Sequence, residues 1–165
     1  MPLTQIKASF PQLKAELSRM LAEGIANPTV HQMAEIAVAG KSDQIAAIYD
    51  FVKANFAYVP DPEDMELFIA PKRMAESYFA GNLMGGDCDD MSLLNAGLLG
   101  SRGYQARIVI LDSDFDDKWD HAICEVYSPF LSDWVAVDTT DKYPLGWTFE
   151  VGKKALIYPK GGYGD

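Results

Sequence analysis

The sequence predicts an α+β domain in which helices come first and an antiparallel sheet follows. Up to Gly100 the apolar residues recur at helical spacing, whereas from Tyr104 onward YQARIVILD, HAICEVY and WVAVD alternate or are β-branched. Length agrees with one domain, because 165 residues can bury a substantial core. Composition is that of an ordinary folded chain, with 48% hydrophobic and 23% charged residues.

Taken in order, residues 4 to about 24 place Leu13, Leu17, Met20 and Leu21 at helical spacing and stop at Gly24. A second helix is expected from Val30 to about Ala39, closed by Gly40. Ser42 is the expected cap of a third, which runs through Ile45, Ile48, Tyr49 and Val52. FAYVPDPEDMELFIAPKR holds three prolines and reads as an extended connection. Helix resumes from Met74 to Phe79, breaks at GNLMGGD, and returns from about Cys88 to Leu99, with Gly100 and Gly103 closing it. The strands that follow are joined by DSDFDDKWD and by the turn SPFLSD, and a last short strand is read at KALIYP. Residues 1–40 are expected to form a helical extension on a core of residues 41–160, with 161–165 a flexible tail.

The formal charge of −10 leaves no basic stripe to neutralise phosphates, so a nucleic-acid partner is not expected. No apolar run approaches the ~20 residues of a membrane span, and the opening MPLTQIKASFPQLKAEL has no basic segment leading into an apolar one. Two cysteines make no disulfide framework, so a cytoplasmic, reducing location without a membrane partner is the expectation. No phosphate-loop spacing occurs among the glycines, and no cofactor is implied.

The segment GGDCDDMSLLNAGLL raises a chemical question, because it sets Cys88 among carboxylates at a helix start. Helix N-terminal N–H groups stabilise a thiolate. Asp87 is a good N-cap and Asp90, three residues on, completes an acidic capping box. Those charges oppose thiol ionisation, so a cation must outweigh them. The chain has two histidines. His31, at PTVHQM among apolar neighbours, reads as structural. His121 opens a strand and shares a face with Ile123 and Glu125, while Cys124 points to the other side, as a small core residue does. If Pro129 and Phe130 centre the SPFL turn, His121 pairs with Asp138 across the strands at ~5 Å between Cβ atoms. That pairing depends on register, since a slip of one residue turns Asp138 to the opposite face.

GGDCDDMSLLNAGLLGSRGYQARIV, HAICEVY and WVAVDTT together resemble the transglutaminase-like superfamily of papain-like cysteine enzymes, over roughly residues 45 to 145. The resemblance implies a papain-like core with the cysteine on a central helix. It also implies Cys88 as nucleophile, His121 as general base and acid, and Asp138 as the residue orienting the histidine. Thr139 departs from the family pattern, which often has proline there, and the Cys-Gly-Ser-Cys-Trp motif of papain-like proteases is missing. The chain is similar to short single-domain members of bacterial and phage genomes.

The implied chemistry is acyl transfer from a protein or peptide amide through a thioester. The backbone N–H of Cys88 is one expected oxyanion donor. Asn82, six residues earlier, is either the second or a loop asparagine turning the chain at GNL. DSDFDD resembles the start of a calcium loop but lacks its glycine and closing glutamate, so a solvated hairpin loop is expected and no metal. Trp119, Trp134, Tyr58 and Tyr78 are expected to pack in the core, with walling a cleft as the alternative. A catalytically idle scaffold module of phage or prophage origin, and a cytosolic redox or zinc protein, are the competing functions.

Overall fold

The computed structural model describes residues 3–5, 10–60, 67–82 and 84–163. Among these residues, five helices and a four-stranded antiparallel sheet make up the α+β fold: α1 (Phe10–Ala26), α2 (Pro28–Val38), α3 (Gln44–Asn55), α4 (Pro71–Phe79) and α5 (Cys88–Ser101). Four strands lie before or between them in pairs: β1 (Leu3–Gln5) with β3 (Leu67–Ile69), and β2 (Ala57–Tyr58) with β4 (Gly85–Gly86). The sheet follows, with β5 (Ala106–Leu111), β6 (His121–Ser128), β7 (Asp133–Val137) and β8 (Lys154–Ile157) in the order β7-β6-β5-β8.

Helix α5 is buried on all sides, with every residue from Asp89 to Leu99 out of solvent and most of them apolar. Such a helix belongs at the centre of a fold. The other four helices pack on it from one side and β5 and β6 from the other. Leu17, Met20 and Leu21 of α1 and Val30, Met33 and Ala34 of α2 join the same core as Leu93, Leu94 and Leu98 of α5. The far face of the sheet holds a second cluster of Val109, Leu111, Ile123 and Ala136, covered by Phe149, Val151 and Leu156. With both faces covered, β5 reads as an unbroken buried run, ARIVIL, and not as an alternation.

Several boundaries differ from the sequence reading. Leu3–Gln5 is a strand, and α1 begins at Phe10. Pro11 explains the start, because proline is tolerated in a first helical turn and breaks a helix interior. Asp43, not Ser42, caps α3, its carboxylate accepting from Ala46 N at 3.1 Å. Helix α4 begins at Pro71, three residues before Met74, with proline at the position that needs no N–H donor. Gly100 lies inside α5 and does not end it; a Cβ there would stand 2.5 Å from Ile25. Of the tail expected over residues 161–165, the last two lie outside the described residues, and Tyr163 is anchored, its hydroxyl donating to Ala106 O and accepting from Ala106 N.

Register between β6 and β7 also differs. Glu125 faces Ala136 and Tyr127 faces Trp134, so the pairing runs two residues beyond the symmetric-turn expectation. A four-residue loop after the Ser128–Asp133 pair causes the difference, with Phe130 and Leu131 at an exposed tip. A shift of two preserves the face of every side chain. His121 and Asp138 therefore stay on one side of the sheet, as diagonal rather than direct neighbours.

Candidate active site

The start of α5 is built from its neighbours. Asp87 Oδ1 accepts from Asp90 N at 3.1 Å and Asp90 Oδ2 from Asp87 N at 3.0 Å, which is the capping box the sequence predicts. Asp90 also accepts from Ile69 N at 2.7 Å, so one buried carboxylate fastens β3 to the first turn of the helix. Ahead of it, Gly85 and Gly86 lie where no side chain fits. A Cβ on Gly85 would stand 2.4 Å from Ala57 O, and one on Gly86 2.6 Å from Asp90 Cβ. The parallel pairing of β2 with β4, continued by Val59 N to Gly86 O at 2.8 Å, holds this approach in place. Cys88, half-buried, is the first residue of the helix.

His121 begins β6. Its Nε2 lies 2.7 Å from Asp138 Oδ2, and Asp138 is buried just past the end of β7. The other carboxylate oxygen of Asp138 accepts from Thr140 N at 3.0 Å and Thr140 Oγ1 at 2.6 Å. Burial pushes the pKa of Asp138 up, but the hydrogen bonds from His121 and Thr140 and the nearby imidazole outweigh it and hold the carboxyl below its ordinary range. Phe149 meets the His121 ring edge-on at 5.2 Å. The segment after Asp138 is tied to α3 at two places, where Tyr49 donates to Tyr143 O and Lys53 to Asp141 O.

Cys88 and His121 line the same cleft, of about 260 Å³, together with Leu13, Asp87, Asp89, Ile110, Trp119 and Asp120. Asp120 accepts from Ser113 N and Oγ and from Asp114 N. Burial works to push its pKa up, and those bonds together with the neighbouring His121 bring it below the ordinary carboxylate value. Larger concavities on the surface, one bounded by α2 and α3 and one beside Phe130, are lined by neither cysteine nor histidine.

The remaining candidates fall elsewhere. Asn82 is exposed in the turn after α4 and is not among the cleft-lining residues. Cys124 is fully buried in the helix-side core, where burial pushes its thiol up. His31 Nε2 lies 2.7 Å from Ile25 O, joining the ends of α1 and α2. Carboxylate oxygens of Asp112, Asp116 and Asp120 come within 4.8 Å of one another, but Asp112 and Asp120 accept from backbone N–H groups of their own loop. Of the four aromatics singled out, Trp119 lines the cleft, while Tyr58 is exposed, Tyr78 packs on Phe51 and Trp134 packs on Tyr127 and Arg107.

Sequence reasoning missed Asn95. Its Nδ2 donates to Thr139 Oγ1 at 2.9 Å, a buried link between the cysteine helix and the residue next to Asp138. The available signal was its position seven residues after Cys88, two turns along the same helix. Phe149 and Leu13 gave no comparable signal.

The family model of the transglutaminase-like superfamily matches residues 27–139, more than half of the sequence. The chain belongs to the transglutaminase-like superfamily. Its fold is similar to that of a protein from Cytophaga hutchinsonii described as a "putative cysteine protease", at TM-score 0.56 and 14% identity, covering 90% of this chain and 48% of that one. A protein described as a "TGase" aligns at TM-score 0.42 and 15% identity over 88% of this chain and 36% of its own. This transglutaminase-like chain thus spans about half the length or less of these solved structures. No curated protein matches it. Among the described residues no helix is long and apolar enough to cross a membrane.

Proposed function

We propose that this chain is a cysteine-dependent amide hydrolase or acyl transferase acting on a protein or peptide amide. One observation carries the reading: Cys88 at a capped helix start shares a small cleft with a histidine whose Nε2 is held by a buried aspartate. With Nε2 engaged by Asp138, Nδ1 of His121 is the nitrogen that exchanges a proton with Cys88 Sγ. The resulting imidazolium offsets Asp87 and Asp89 and, with the helix N-terminus, stabilises the thiolate.

Attack by Sγ on the amide carbon forms the C–S bond and moves the carbonyl π pair onto oxygen. The backbone N–H of Cys88 donates to that oxyanion. Collapse re-forms the carbonyl and breaks C–N, and His121 passes its proton to the departing nitrogen, leaving a thioester. Water, or an amine, then gives up a proton to His121 and attacks; the C–S bond breaks and the thiolate returns. Water gives hydrolysis or deamidation and an amine gives transamidation. Asn82 is the second oxyanion donor only if substrate draws its turn toward the cleft, and Asn82→Ala tests it by a loss of kcat at constant KM.

The experiment is the rate of Cys88 alkylation against pH in a Cys124→Ala background, with and without His121→Ala. A reactive thiolate well below the ordinary ~8.5, lost with His121, is the expected result and justifies a panel of amide substrates. A thiol with an ordinary or raised value, indifferent to His121, would leave an idle scaffold module.

A further inference from the structure

We propose that Leu13 of α1 sets the bulk of the acyl group admitted to Cys88, so that this enzyme takes slender acyl donors without a branch or ring near the reacting carbonyl. This rests on Cys88 being the atom that is acylated. The family match begins at residue 27, so α1 lies outside it, yet α1 supplies a wall of the cleft. Leu13 lines that wall, and Phe10, one turn earlier, stacks on Trp119 at 4.7 Å and 14°. Trp119 is held from a second element as well, since Lys153 Nζ stands 4.3 Å from its ring.

These walls cannot swing aside cheaply. One turn beyond Leu13, Leu17 is fully buried in the main core, followed by Met20 and Leu21. Ser18 Oγ donates to Tyr158 O at 2.7 Å and Lys160 N to Ser18 O at 3.0 Å, so α1 is fastened to the chain after β8 by both backbone and side chain. A close-packed helix of this kind moves as a unit or not at all. The cleft is about 260 Å³, below the ~300–1,000 Å³ of sites that take a whole drug-sized ligand. It has room for one narrow segment of a substrate beside Cys88, and Leu13, Ile110 and Trp119 form its apolar side.

The test compares two electrophiles on the full chain carrying Cys124→Ala, iodoacetamide and N-(1-naphthyl)iodoacetamide. Each rate is divided by that of a free thiol, at a pH near 9 where the thiolate forms with or without His121. The quantity read is the naphthyl-to-parent rate ratio. It is expected to be small in the parent chain, to rise about tenfold in Leu13→Ala, and to rise by a smaller factor in Leu13→Val, whose lesser truncation keeps more of the packing. A ratio unchanged in either folded variant would overturn the proposal. So would a Cys88 closed to iodoacetamide in the folded parent chain, because the cleft would then admit no acyl group. Failure of the triad reading shows separately, as an alkylation pH profile indifferent to His121→Ala.

Discussion

Asn95 lies two helical turns beyond Cys88 and donates from Nδ2 to Thr139 Oγ1 at 2.9 Å, tying the cysteine helix to the residue beside Asp138. Both partners are buried, at 1% and 5% exposure, and among the described residues Asn95 Oδ1 has no hydrogen-bond partner. Thr139→Val keeps the shape and removes the acceptor, leaving a buried amide without its bond. A loss of ~1–3 kcal/mol is expected. Thr139→Ser should keep most of that stability, and urea unfolding of the two variants checks the difference.

Asp138 ties stability to pH. Its carboxyl is held below the ordinary value, so its contribution is fully present above about 3.9 and is lost as the pH falls through the lower folded value. Asp138→Asn removes a charge-assisted bond to His121, worth ~1.5–3 kcal/mol. The stability gap between parent and variant is expected to be full at neutral pH and to shrink in acid. Unfolding midpoints at pH 7 and pH 3 measure it, and a gap that is constant with pH would contradict the assignment.

Gly85 and Gly86 are required by close approach. Gly85→Ala puts a methyl against Ala57 O, a backbone atom held by the β2–β4 pairing, and Gly86→Ala puts one against Asp90 Cβ. Each is expected to cost ~1–3 kcal/mol, the first more than the second, since backbone yields less than a side chain. Gly86→Ala should also slow Cys88 alkylation by loosening the capped helix start whose N–H groups stabilise the thiolate. Thermal melts and iodoacetamide rates read the two effects.

Tyr163 gives an alkaline counterpart. Burial raises its phenol most, with Cys124 adding to the rise and the Ala106 bond opposing it, and the hydroxyl is pushed up to about 12. A group raised in the folded state contributes stability below its ordinary ~10 that is lost as the pH rises toward the folded value. Tyr163→Phe should lower stability by ~1 kcal/mol at neutral pH and flatten the decline of stability above pH 10. Denaturant titrations at pH 8 and pH 11 compare them.

Local pattern and short-range chemistry made much of this protein legible. The Asp87–Asp90 capping box, the helix beginning at Cys88 and the inward turn of Cys124 follow from spacings of three residues or fewer, over which geometry is nearly independent of context. His121 and Asp138 share a face because side chains alternate along strands, and that parity survived an error of two in the register. Register itself depended on the length of the loop at Phe130, which alternation does not encode.

The rest belongs to tertiary structure. Leu13 in the cleft wall, Phe149 against His121 and Asn95 on Thr139 join residues 28 to 108 positions apart. By itself the sequence determined the capping box ahead of Cys88 and the face that His121 and Asp138 share. Only the packing of α1, α5 and the segment after β7 decided how they meet, because such contacts arise from shape and burial between elements and not from any spacing along the chain.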